Sequence, residues 1–342
     1  MSVAQAAVFI KLPDITKGWP WPRLRNDHFE EAAAACTEWL KDSALDPKDV
    51  EVARRGYNFG FTLAALAYPT LDKDLLVVAF HILSALFMID DFTDGEKGSE
   101  AESTAQTILD VFAEPYNQRP KDDEYVAEVT RQYWLSAIGI SPPWQQERAL
   151  RHFEEYLDAT VIEASDRELG YVRDFEDFLR IRRKTSGILP SFWVIECAQH
   201  LPEDIVKHET IITLTTCAMD LIIYDNDIYS YPKERAVGST HNSIAIAAHN
   251  FGFPIQEAID WIAGRREEVA RKFFEIRDEV PSWGVDLDKQ VGSYIDGLGH
   301  WVRGNFEWCL ETDRYFSKEQ LQRIEATGTV EIRPPVSSSV TK

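Results

Sequence analysis

The segment Leu75 to Asp94, LLVVAFHILSALFMIDDFTD, decides the fold. Its apolar run from Leu75 to Ile89 ends in two adjacent aspartates, Asp90 and Asp91, and a third, Asp94, follows one helical turn later. The run is shorter than a membrane span and carries His81 and Ser84, so it reads as a buried helix. A second element, IITLTTCAMDLIIYDNDIY from Ile211 to Tyr229, is also apolar nearly all round and also ends in acidic and amide groups. Helices of this kind belong at the centre of a bundle.

Outward from these two elements, most of the chain shows the helical period. Ala149, Phe153, Tyr156, Leu157, Thr160, Val161 and Ala164 share one face, while Glu154, Glu155 and Asp158 point away. Breaker clusters separate the helices: AYPTLDKD near Pro69, DGEKGSEAES after Asp94, YNQRPKDDE around Pro120, GISPPW at Pro142 and Pro143, and EVPSWG at Pro281. Typical helix and connection lengths then predict roughly ten helices. No composition shift, linker or repeat divides the chain. Residues 1–325 therefore read as one all-α domain, and the polar, Pro-containing residues 326–342 as a disordered tail.

Composition narrows the function. A net charge of -21, from 57 Asp and Glu against 36 Lys and Arg, repels phosphate backbones and anionic lipid heads. General nucleic-acid binding and membrane binding are thereby excluded, although a locally cationic or metal-loaded pocket is compatible with it. The four cysteines, Cys36, Cys197, Cys217 and Cys309, form no C-x-x-C pair and read as buried free thiols, not as a disulfide framework or zinc site. The N-terminal MSVAQAAVFIKLPD lacks both the cationic lead and the long apolar core of a secretory signal, so a cytosolic protein is expected.

Two constellations carry chemistry. Asp90 and Asp94, spaced i, i+4, present their carboxylates on one helical face where both can hold one hard cation, whereas Asp91 points elsewhere. A solvated helix end is the competing interpretation, because charged residues are mostly exposed. In NDIYSYPKE, Asn226, Ser230 and Glu234 fall at i, i+4 and i+8 along about 12 Å of one face. Amide, hydroxyl and carboxylate oxygens form a mixed hard-ligand set suited to Mg²⁺, which keeps waters and accepts phosphate oxygens as well. Pro232 is expected to bend or end that helix.

Together these motifs resemble class I terpene cyclases, and within them the fungal, mushroom-type sesquiterpene synthases. The resemblance runs from LPDITKGWPWPR at Leu12, through Asp90, Asp91 and Asp94 and the N-D-x-x-S-x-x-x-E motif from Asn226 to Glu234, to the Arg-Tyr pair Arg314 and Tyr315. It implies a single α-helical bundle around an apolar pocket and three Mg²⁺ ions. The metal ligands it implies are Asp90, Asp94, Asn226, Ser230 and Glu234. In RRKTSG it makes Arg183 the diphosphate sensor, in preference to Arg182, with Ser186 and Gly187 as the effector region. Lys233, Arg314 and Tyr315 complete the diphosphate contacts. The substrate implied is farnesyl diphosphate, released as a cyclic C15 hydrocarbon or alcohol plus diphosphate. Some mushroom enzymes make protoilludene through a humulyl cation, which favours 1,11-closure over 1,10-closure. The protein is expected to be a monomer or homodimer.

The residues themselves suit that chemistry. Diphosphate leaves only when its charge is neutralised, and the carbocation left behind needs a dry wall whose aromatic faces stabilise positive charge without supplying a nucleophile. Phe87, one turn before Asp90, and Trp308, six residues before Arg314, are the candidates for that wall, and ordinary core packing is their alternative role. Phe59, Phe61, Phe192 and Trp301 could join them. His81 and His300 read as core histidines. A chain-elongating prenyltransferase would need a second Asp-rich motif where DNDIYSYPKE stands. A non-catalytic helical protein binding prenyl diphosphate or lipid would be marked by a lost ligand or sensor, and none is lost.

Overall fold

The computed structural model describes residues 8–38, 47–117 and 125–333. Among them, fourteen helices are flanked by two short strands. Strand β1 (Val8–Lys11) leads into α1 (Phe29–Thr37), α2 (Pro47–Ala67), α3 (Lys73–Thr93), α4 (Gly98–Ala113), α5 (Tyr125–Ile138) and α6 (Pro143–Leu169). There follow α7 (Phe175–Thr185), α8 (Ile188–Ala198), α9 (Glu203–Val206), α10 (Glu209–Val237), α11 (Ser243–Phe251), α12 (Ile255–Asp278), α13 (Val285–Glu311), α14 (Lys318–Thr327) and β2 (Thr329–Ile332). The helix count exceeds the expected ten partly because Gly187 adopts φ 66°, a left-handed conformation open to glycine, and so separates α7 from α8 without a proline. Most of the breaker cluster around Pro120 lies outside the described residues.

Helix α3 is the central element that its sequence predicts. Asp72 caps it by accepting a hydrogen bond from the Leu75 backbone N at 3.0 Å, and nearly every side chain from Leu76 to Ile89 is buried against α1, α2 and α5. By length and composition α3 could cross a membrane, but most of it is buried inside the bundle. Each large aliphatic side chain buried there contributes about 1.5–3 kcal/mol. Helix α10 packs against α12 and α13 and continues through Pro232 to Val237. The expected stop is overridden because Tyr229, Ser230, Tyr231 and Pro232 are all buried, and their packing outweighs a proline cost of about 3 kcal/mol. Glu234 therefore stays on the Asn226 face.

Helix α13 is held from both sides. Trp19 and Trp21 dock on its middle, with indole N–H groups donating to the Gly299 carbonyl and to Asp296 Oδ1, both at 3.0 Å. Further along, α13 approaches α2 so closely that a Cβ at Gly304 would lie 2.6 Å from the Ala67 backbone N. All four cysteines are buried and free.

Residues 326–333 correct part of the expected disordered tail, because they complete α14 and form β2. Strand β2 pairs antiparallel with β1, in the register Val8 to Ile332 and Lys11 to Thr329, and Val330 and Ile332 are buried. The alternation in TVEI forms an inward face, which the polar residues around it outweighed in the composition. Residues 334–342 lie outside the described residues.

Candidate active site

One cavity opens among α2, α3, α6, α7, α8, α10 and α13. On α3 and α10, and from α13 into the segment after it, large apolar lining residues come before the charged ones. Leu83, Leu86 and Phe87 precede Asp90 and Asp91 on α3, Ile222 and Ile223 precede Asn226 and Glu234 on α10, and Trp301 and Trp308 on α13 precede Arg314 and Tyr315. The polar ends meet. Arg314 Nη2 donates to Asp90 Oδ2 at 3.3 Å and to Asp91 Oδ1 at 3.2 Å. Asn226 Nδ2 donates to Tyr315 Oη at 3.0 Å, and Arg182 Nη2 donates to Asn226 Oδ1 at 3.2 Å. Both acidic motifs and the Arg-Tyr pair thus face one space.

Most of the anticipated site residues line that space: Asp90, Asp94, Asn226, Lys233, Glu234, Arg314 and Tyr315, with Ser186 and Gly187 at the junction of α7 and α8. Ser230 is fully buried behind them, its Oγ 3.4 Å from Asn242 Nδ2. Asp91 corrects the expectation that it points elsewhere, because it lines the cavity and shares Arg314 with Asp90. The structure also separates the two arginines considered for the sensor. Arg182 lines the cavity, whereas Arg183 is absent from the lining and is held by Asp220, with Nε and Nη2 donating at 2.7 and 2.8 Å. One residue is about 100° of helix rotation, enough to turn its neighbour onto α10.

The aromatic wall is partly as expected. Phe87 and Trp308 both line the cavity and stack with ring centroids 5.1 Å apart at 24°. Trp308 donates its N–H to the Phe59 carbonyl at 3.0 Å, which fixes the indole. Trp301 also lines the cavity. Phe61 stacks on Phe80, and Phe192 sits edge-on to Trp301, and neither is among the lining residues. His81 and His300 are not there either; burial pushes the His81 imidazole down to about 4, and Ser136 Oγ lies 3.2 Å from its Nδ1.

Sequence reasoning missed Glu163, His241 and Tyr156, all lining the cavity. No motif marks Glu163. His241 Nε2 comes within 3.1 Å of Glu163 Oε2 without hydrogen-bond geometry, and burial pushes the imidazole well below its ordinary range, so the contact is not an ion pair. Asp227 and Asn242, buried just behind the lining, also went unread.

Electrostatics set this end of the cavity apart. Burial, then repulsion from Asp94, pushes Asp90 up to about 7. Its side chain keeps 48% of its surface, on the side that lines the cavity. Burial pushes Glu163 up to about 8 and raises Asp94 and Glu234 as well. Lys233 is lowered by burial and by Arg314. Burial opposes the Arg182 charge, but Asp227 more than restores it. Carboxylates that resist ionisation because they are buried, and then because they crowd together, call for cations between them. The donors fit hard divalent ions because they are oxygens, carried on two helices that face one cavity.

An all-α bundle around one cavity, with opposed oxygen-donor motifs and cationic groups above an aromatic floor, defines the class I terpenoid synthase architecture. Residues 81–272 match the family described as terpene synthase family 2, C-terminal metal binding. The chain is 34% identical over 333 residues to sesquiterpene synthase 14 of Postia placenta, covering 97% of this chain and 94% of that one. It is 33% identical to a Delta(6)-protoilludene synthase of Stereum hirsutum, over 95% of this chain and 88% of the relative. Among solved structures, germacradien-4-ol synthase from Streptomyces citricolor superposes with a TM-score of 0.71 at 23% identity, covering 86% of this chain and 97% of that chain, a likeness of fold. The chain belongs to the terpene synthase family and is a carbon-oxygen lyase acting on diphosphates.

Proposed function

We propose that this enzyme is a Mg²⁺-dependent sesquiterpene synthase that ionises farnesyl diphosphate and cyclises the C15 chain. The observation that carries this reading is the meeting of Arg182, Asn226, Tyr315, Arg314 and Asp90 in one polar cluster, next to the stacked rings of Phe87 and Trp308. Asp90, Asp94, Asn226 and Glu234, with Ser230 between the last two, would hold three Mg²⁺ ions. Bound there, the ions supply positive charge to the leaving diphosphate.

The chain's own groups do the rest. Arg182, Lys233 and Arg314 add cationic charge where the C1–O bond breaks and its electron pair departs with oxygen. Tyr315 Oη accepts from Asn226, so its own proton is free for a phosphate oxygen. The allylic cation is left facing Phe87, Trp308 and Trp301, whose ring faces stabilise it and whose bulk excludes water. Ring closure joins C1 to C11, giving a humulyl cation. The protoilludene synthases among the relatives support that route over 1,10-closure. The released diphosphate can accept the final proton.

The test is chain-length selectivity. With Mg²⁺, kcat/KM for diphosphate release should be highest with farnesyl diphosphate, against geranyl and geranylgeranyl diphosphate. A clear preference for either of the others overturns the C15 assignment.

A further inference from the structure

We propose that Asp227 is a positioning residue that presets the Arg182 guanidinium for diphosphate. The inference rests on the reading of Arg182 as a diphosphate contact. Asp227 stands beside Asn226 in the second motif but about 100° around the helix, off the face shared by Asn226, Ser230 and Glu234. It is fully buried. Its Oδ1 accepts from Arg182 Nε at 3.2 Å and Nη2 at 2.8 Å, and its Oδ2 accepts from the Ser243 backbone N at 2.8 Å, at the start of α11. Both carboxylate oxygens are therefore engaged, and the guanidinium plane is fixed with Nη1 left over for a ligand.

The start of α11 extends the same support to the metal motif. Asn242 Nδ2 donates to the Asp227 carbonyl at 2.8 Å and to Glu234 Oε2 at 2.9 Å, while its Oδ1 caps α11 by accepting from the Ile244 backbone N at 2.8 Å. Residues 242–243 thus hold Glu234 and, through Asp227, Arg182 in one arrangement. A long arginine side chain held this way loses little freedom when phosphate arrives. The structure contains its own control. Arg183 makes an equivalent fork with Asp220, two turns earlier on α10, away from the cavity lining. Both pairs tie α7 to α10, but only the Asp227 pair carries a cavity-lining arginine.

Calorimetric binding of inorganic pyrophosphate in Mg²⁺ buffer tests this on the whole chain, with melting curves recorded for every variant. Asp227→Asn should weaken pyrophosphate roughly ten- to a hundredfold, the worth of a charge-assisted hydrogen bond, while Asp220→Asn lowers only the melting temperature. Arg182→Lys combined with Asp227→Asn should bind no more weakly than Arg182→Lys alone, because Asp227 acts through Arg182. Wild-type affinity in Asp227→Asn, or additive losses in the double variant, overturns the positioning role. Wild-type affinity in Arg182→Lys instead overturns the diphosphate reading beneath it. Should Asp227→Asn fail to fold, Asp227→Glu keeps the charge one methylene farther out, and it must show an intermediate loss with the same non-additivity.

Discussion

Arg182→Lys against Arg183→Lys is the sharpest test of which arginine meets the diphosphate. Arg182 spends Nε and Nη2 on Asp227 at 3.2 and 2.8 Å, with Nη2 also on Asn226 at 3.2 Å. Lysine has one ammonium, which can satisfy Asp227 or reach the phosphate but cannot do both in the geometry of the fork. The loss is about one charge-assisted hydrogen bond, about 1.5–3 kcal/mol, or roughly a 10- to 150-fold fall in kcat/KM. Arg183 lies off the cavity with its side chain 34% exposed and paired to Asp220. Lysine at 183 keeps most of a partly exposed ion pair worth about 1 kcal/mol or less, so its effect belongs in the melting curve. The assay is steady-state diphosphate release from farnesyl diphosphate at saturating Mg²⁺, with each variant's melting temperature measured alongside. The reverse ranking, with Arg183→Lys the more damaging to turnover, refutes the argument and returns the sensor to Arg183.

Trp308→Leu keeps apolar bulk but removes a cation–π partner worth about 2 kcal/mol when desolvated, and it strands the Phe59 carbonyl. Diphosphate release should continue while volatile products shift toward acyclic or monocyclic hydrocarbons; an unchanged profile with a lower melting temperature makes Trp308 packing alone. Asp90 has its carboxyl raised to about 7, above its unfolded value, so in the folded state it holds a proton that the unfolded state has released. Metal-free protein should therefore lose stability as pH rises from about 4 to 7, and Asp90→Asn should flatten that slope; an identical slope in the variant contradicts the crowding. Gly304→Ala brings a Cβ to within 2.6 Å of the Ala67 backbone, which cannot swing aside. It should cost about 1–3 kcal/mol, and an unchanged melting temperature would contradict the close crossing of α2 and α13.

What the sequence discloses here is what repeats along one helix. Asp90 with Asp94, and Asn226 with Glu234, are visible as i, i+4 and i+8 oxygen donors because one helical face determines their neighbours. The burial of α3 and α10 follows from their being apolar nearly all round. Choosing between Arg182 and Arg183 depends on the rotation of α7 against α10, which two adjacent arginines do not encode. Glu163 on α6 and His241 before α11 reach the cavity only because distant elements pack together, so neither has a local signature. The strand pair joins residues near opposite ends of the chain, and TVEI alone, four alternating residues in a polar setting, names no partner.

The central claim is that one cavity breaks an allylic C–O bond and closes a ring on the resulting cation. Purified protein incubated with farnesyl diphosphate and Mg²⁺, with released diphosphate quantified and volatiles identified by mass spectrometry from the same reaction, tests it most directly. The account predicts diphosphate and cyclic C15 products in equal amounts, lost together when the metal is chelated. Longer prenyl diphosphates formed on adding isopentenyl diphosphate, or substrate bound and recovered intact, would contradict it.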